Sequence, residues 1–158
     1  MKQLRFWFAL LGASAVAPLS WAVLPIGIVN TQALAFGSFA AGSGGSVTVS
    51  PAGVRTAGGG VVLLSAGAGA AAQFSVTGDP NLTYSITLPA NGVVSLTSGG
   101  NSMAINNFTS NPVATSASTG LLSAGGSQTL SVGATLSVGS NQPSGSYSGS
   151  FDVIVNYP

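Results

Sequence analysis

Hydrophobic residues alternate with small polar ones along most of this chain, the period-two signature of strands with one buried and one solvated face. The pattern is clearest in Ser144–Pro158, where Tyr147, Gly149, Phe151, Val153, Val155 and Tyr157 share one face. Ser146, Ser148, Ser150, Asp152 and Asn156 share the other, with Ile154 as the apolar exception. Further strands are predicted over Ser46–Val49, Val61–Leu64, Gln73–Thr77, Thr83–Leu88, Val93–Thr97, Met103–Phe108 and Gln128–Val138. Pro25–Ile28 and Ala33–Phe39 are candidate pieces of a first strand. Turns are expected at Ala41–Gly45, Gly58–Gly60, Gly78–Asn81 and Gly139–Gly145, with Ala66–Ala72 as a small-residue connection.

No segment of comparable length carries the 3.6-residue period of an amphipathic helix, and Thr, Val and Ser far outnumber Glu, Lys and Arg. Many short strands at close spacing predict an all-β fold. One apolar and one Ser/Thr-rich face per strand predicts an immunoglobulin-like β-sandwich. Its core is expected to hold Val47, Val49, Phe74, Val76, Tyr84, Ile86, Leu130, Val132, Leu136, Phe151, Val153 and Val155. A sandwich normally sets a further strand beside a segment such as Phe151–Tyr157, yet only Pro158 follows it. Either an earlier segment or another molecule is expected to cover that edge.

The first residues point to export. Met1–Arg5 is a short basic stretch, Phe6–Val16 an apolar run broken only by Gly12 and Ser14, and Ser20-Trp21-Ala22 fits the small-x-small cleavage rule. The run is shorter than the roughly 20 residues that span a bilayer, and no later segment qualifies. The expected organisation is a signal peptide over 1–22 and one sandwich domain over 23–158. Such a chain passes through the periplasm to the cell surface or an extracellular fibre.

Composition excludes more than it selects. Charged residues are 3% of the chain, and there is no His and no Cys. Past residue 22 the ionic side chains are Arg55, Asp79 and Asp152. One Arg cannot neutralise a phosphate backbone, so nucleic-acid binding is not expected. His or Cys metal sites are ruled out, and two carboxylates far apart in sequence do not form one. No disulfide frame is available either. The many Ser hydroxyls lack a base to activate them, so neither enzymatic activity nor a cofactor is expected. The chain is nevertheless 46% hydrophobic with a mean hydropathy of +0.54, the opposite of a disordered composition. An uncharged Ser/Thr/Asn surface offers little repulsion between copies, which favours self-association.

Lesser signals have ordinary readings. Gly42–Gly45 and Gly58–Gly60 are not followed by Lys-Ser/Thr or a helix, as a phosphate cradle requires. The sequons at Asn81 and Asn107 read as turn residues. Asp79 reads as turn-forming and Asp152 as solvent-facing.

The tail resembles the C-terminal motif of chaperone–usher pilus subunits: alternating Phe151, Val153 and Val155, penultimate Tyr157, and Gly145 upstream. The phrase from Gln142 to Phe151 is similar to the entry to the last strand of spore-coat-like pilin domains. Phe36-Gly37, Phe74–Gly78, Tyr84–Pro89 and Asn107–Pro112 resemble a family of secreted bacterial proteins known only as a domain of unknown function. That likeness spans nearly all of the mature chain and carries no established activity.

The pilin resemblance implies a sandwich lacking its last strand, filled first by a periplasmic chaperone at the usher and then by a neighbouring subunit. A donor burying about five apolar side chains contributes roughly 7–15 kcal/mol at ~1.5–3 kcal/mol each. That matches the whole stability of a typical domain, about 5–15 kcal/mol. Gly145, Phe151, Val153, Val155 and Tyr157 would form the acceptor and chaperone-recognition strand, and Leu24, Ile26 and Ile28 a donor. Val23–Val29 is short for a donor and is interrupted by Pro25, so the same segment also reads as this domain's own first strand. The expected function is a structural subunit of a bacterial surface fibre. The alternative is a monomeric secreted or surface-attached binding or adhesion module. Glycan stacking by Trp is disfavoured, because Trp7 and Trp21 both lie in the leader.

Overall fold

The computed structural model describes residues 22–115, 117 and 119–158. The expected leader, 1–22, therefore lies almost wholly outside the described residues. Within them the fold is all-β, with no helix, and hence none long and apolar enough to cross a membrane. In chain order the strands are β1 (Gly27–Gln32), β2 (Phe39–Ala40), β3 (Gly45–Val49), β4 (Arg55–Gly59), β5 (Val62–Leu63), β6 (Ala72–Thr77), β7 (Thr83–Thr87), β8 (Val94–Ser98), β9 (Asn101–Asn111), β10 (Gly120–Leu121), β11 (Ser127–Val138) and β12 (Ile154–Asn156).

The longest strand, β11, organises the main sheet. Along one edge its first half pairs with β6, from Ser127↔Thr77 to Val132↔Ala72, and its second half pairs with β3, from Ala134↔Val49 to Val138↔Gly45. Along the other edge it pairs with β9. Outer strands β1, β4 and β8 extend the sheet beyond β6, β3 and β9. All these pairings are antiparallel. At the handover between β6 and β3 sits Gly133, where an added Cβ would lie 2.2 Å from the Val49 carbonyl oxygen. Only a residue without a side chain lets the two neighbours abut there.

A second sheet orders β10, β7 and β12. It faces the β6–β11 half of the main sheet across a core of Phe74, Val76, Tyr84, Ile86, Leu122, Leu130, Val132 and Val155. A second core lies under the β3–β9 half, built from Phe36, Val47, Val49, Met103, Ile105, Leu136 and Val138. There the cover is the small β2–β5 pair with its flanking segments, Ala35 bridging Ala70. Leu34, Phe108 and Phe151 pack against both cores.

The expected core is largely realised, but Phe151 and Val153 are half-buried. The terminal strand is shorter than its pattern implies. Only Ile154–Asn156 pair with β7, while Ser148 makes an isolated bridge to Thr97. Two strands escape the periodicity. Arg55–Gly59 pairs with β3 where a turn at Gly58–Gly60 is expected, its glycines supported by the partner ladder. Gly120–Leu121 is too short to show alternation.

The β9 strand departs in phase. Met103 and Ile105 point inward, and then Phe108 and Ser110 do. The switch comes at a bulge, where Gly133↔Thr109 is followed by Thr135↔Asn106. Asn107 takes a left-handed backbone there (φ 50°), and its N–H donates to Asn91 Oδ1 at 2.7 Å. One extra residue reverses which face later side chains occupy. Phe108 thus turns into the core instead of Asn107.

Gly133→Ala is expected to destabilise the fold by at least ~2–3 kcal/mol in urea unfolding, since backbone atoms cannot move aside as a flexible side chain would. A loss below ~0.5 kcal/mol would show that the handover tolerates a side chain. A second prediction concerns Tyr84, whose hydroxyl donates to Gln128 Oε1 at 2.7 Å. Burial raises the Tyr84 pKa above its usual value near 10. The folded state therefore holds this proton more tightly than the unfolded chain. The associated stability is complete below pH ~10 and is lost as pH rises from there through the folded pKa. Tyr84→Phe should cost about 1 kcal/mol at neutral pH and flatten the alkaline decline, read from urea midpoints at increasing pH.

Candidate functional site

A groove runs over the second core, with a cavity volume of about 740 Å³. One wall is Leu34–Ala41 and the other is Gln142–Gly149, while Leu96, Met103 and Leu136 form its floor. A smaller hollow of about 210 Å³ is lined by Phe74, Ile105 and Phe151 among others. The sequence explains the opening. Gln142–Gly149 is rich in Ser and Gly, with only Tyr147 large enough to cover the floor.

Tyr147 is tied down within its own wall. Its hydroxyl donates to the Pro143 carbonyl at 2.8 Å and accepts from Gln142 Nε2 at 2.9 Å. On the same wall Ser148 exchanges both main-chain hydrogen bonds with Thr97, at 2.8 and 3.1 Å. In an extended chain the main-chain groups of the adjacent residues point the opposite way. Among the described residues, Tyr147, Gly149 and Phe151 make no main-chain hydrogen bond. Phe151 is held by its ring, edge-on to Phe74 (centroids 6.3 Å apart) and tilted on Phe108 (5.0 Å). The result is a strand-like edge with unpaired main-chain donors and acceptors beside an apolar floor. Such an edge accepts another strand.

The residues singled out in the tail divide between two places. Gly145 lines the large groove and Phe151 the small hollow. Val153, Val155 and Tyr157 pack instead on the core between the two sheets, with Val155 opposite Ile86. The Tyr157 hydroxyl accepts the Asp79 N–H at 2.7 Å, so this side chain is engaged by the turn after β6. Asp79 holds the other end of the domain too, its Oδ2 accepting the Leu24 N–H at 2.9 Å. Asp152 is exposed, as expected.

Two of the three candidate donor residues, Ile26 and Ile28, are occupied within this chain. Ile28 pairs with Val76 of β6, and Ile26 and Ile28 pack on the core. Leu24 is exposed. In this structure Gly27–Gln32 is thus the domain's own first strand.

Sequence reasoning missed Arg55. Its guanidinium donates to four main-chain carbonyls: Phe36 (3.1 Å), Ser38 (3.2 Å) and Gly67 (3.0 Å) through Nη1, and Leu64 (2.8 Å) through Nη2. The available signal was that Arg55 is the only cation in the sequence past Arg5. Among the described residues, no cluster of acidic, His or Cys side chains suits a metal.

These features define a β-rich domain with a groove along an unpaired edge. The chain belongs to the family described as a domain of unknown function, DUF4402, whose model matches residues 26–157. Neither the curated proteins nor the solved structures contain a match to this chain.

Tyr157→Phe should lower stability by about 1 kcal/mol by leaving the Asp79 N–H without its acceptor. Tyr157→Ser, which also removes the ring from the core, should cost ~2–4 kcal/mol. Equal midpoints for both variants and the parent in a urea titration would mean that the ring and hydroxyl carry no weight there.

Proposed function

We propose that this chain is an exported structural subunit of a bacterial surface fibre, and that an extended segment from a neighbouring molecule completes its groove. The observation that carries this reading is the edge formed by the unpaired main-chain groups of Tyr147 and Gly149 over Leu96, Met103 and Leu136.

Strand order supports it further. With β3, β4, β8 and β10 as additions, the series β1-β6-β11-β9 and the pair β7-β12 are compatible with the order A-B-E-D and C-F of an immunoglobulin-type sandwich. In that fold strand G lies beside F. Among the described residues no strand occupies the free edge of β12. A neutral groove also suits a neutral, alternating apolar segment, since it offers no charge to pair. During export a periplasmic chaperone would hold the same edge until an usher exchanges it for the neighbouring subunit. No catalytic step or cofactor belongs to this role.

One observation favours the second reading, a monomeric surface or adhesion module. Within the candidate donor segment, Ile26–Ile28 is already engaged with β6 and the core. For this segment to serve as donor, β1 must leave its own β6 and enter another copy, an exchange of identical elements. Otherwise the strand comes from a different subunit.

The two readings separate on protein purified after export. The fibre reading expects linear multimers by electron microscopy and light scattering. It also expects a peptide of Val23–Gln32 to stabilise dissociated subunits, by about 2.7 kcal/mol at 100 times its Kd. A monomer that unfolds cooperatively, is highly stable alone and gains nothing from the peptide leaves the self-contained module.

A further inference from the structure

We propose that Arg55 is the positioning residue of the groove, pinning a two-stranded flap to the main sheet and so setting the width available to an incoming strand. The inference about binding rests on the strand-complementation reading. The pin itself rests on geometry alone.

The flap comprises Ala35–Ala40 and Val62–Ala70. Its main-chain hydrogen bonds, among the described residues, are internal: Ala35 with Ala70, Ser38 with Gly67 and Leu64, and β2 with β5. It is thus a separate small sheet, and its outer segment is one wall of the groove. Apolar contact through Phe36, Phe39 and Leu63 seats it on the core, but such contact is non-directional and permits sliding.

Arg55 supplies direction. It starts β4, within the main sheet, and reaches both sides of the flap at once: Phe36 and Ser38 on one, Leu64 and Gly67 on the other. The acceptors are all carbonyls, so the planar guanidinium works as a fork spanning two segments and not as half of an ion pair. Gly37 is shaped around it. This residue has φ 69°, and a Cβ there would fall 2.2 Å from Arg55 Nη1 and 2.3 Å from the Gly67 carbonyl oxygen. Lys, with one compact ammonium, cannot span the four carbonyls.

The test uses Arg55→Met, Arg55→Lys and Gly37→Ala in protein purified after export, read by amide hydrogen exchange and by binding of a fluorescent Val23–Gln32 peptide. Gly37→Ala keeps the arginine but displaces its head, and it replaces Arg55→Met if that variant is not recovered. The expected result is at least tenfold faster exchange at Phe36–Ala40 and Leu63–Ala68 with unchanged exchange at Leu130–Leu136, and at least tenfold weaker peptide binding. Arg55→Lys should fall between parent and Arg55→Met. Unchanged flap exchange, or acceleration shared equally by Leu130–Leu136, overturns the proposal. If the parent protein fails to bind the peptide, self-donation by this segment fails, while the exchange measurement still decides whether Arg55 is the pin.

Discussion

Everything in this fold hangs on a single strand that serves three neighbours. β11 gives half of one edge to β6, the other half to β3, and the opposite edge to β9. Two strands can share an edge end to end only where the chain between them comes close to the shared strand. Gly133 makes that approach possible, because Val49–Pro51 occupies the space a side chain would take. The handover also separates the two cores. Leu130 and Val132 belong to one, and Ala134, Leu136 and Val138 to the other.

The two cores are closed in different ways. The one beneath β6 is covered by a hydrogen-bonded sheet, β10-β7-β12, and the turn after β6 secures both ends of the domain through Asp79. The one beneath β3 is covered by a small flap and by a Ser/Gly-rich segment with unpaired main-chain groups. Phe151 bridges the halves through Phe74 and Phe108. The asymmetry places a well-packed body beside an accessible edge, the combination that strand addition needs. It also locates the groove further upstream than the alternating tail suggests, beside Tyr147 and Gly149 instead of Val155 and Tyr157.

A nearly uncharged chain leaves its few ions conspicuous, and both Arg55 and Asp79 bind main-chain groups. Arg55 meets carbonyls, Asp79 meets an N–H, and among the described residues neither has a charged partner. Past Lys2 the chain carries no lysine, the residue that commonly guards sheet edges. That absence fits the reading in which one edge is meant to be covered by another strand.

What the sequence determined by itself was the β character and most of the inward residues. Alternation is a local property, and a strand half-buried against a core records its buried face every second position. Val47, Val49, Phe74, Val76, Tyr84, Ile86, Leu130, Val132 and Leu136 were legible for that reason. The rest was decided by residues distant in sequence. The bulge at Asn107 shifts the phase of β9 because β11 and Asn91 hold it there. Arg55–Gly59 becomes a strand because β3 supplies its ladder, although its own glycines read as a turn. The tail alternates from Tyr147 to Tyr157 with Ile154 as the one exception, yet one part bridges Thr97, another pairs with β7, and the part between lies unpaired. Period alone records which side of a strand is apolar, whereas its partner depends on the packing of the whole chain. Tertiary structure alone therefore sets where the groove opens and brings Arg55 to its flap.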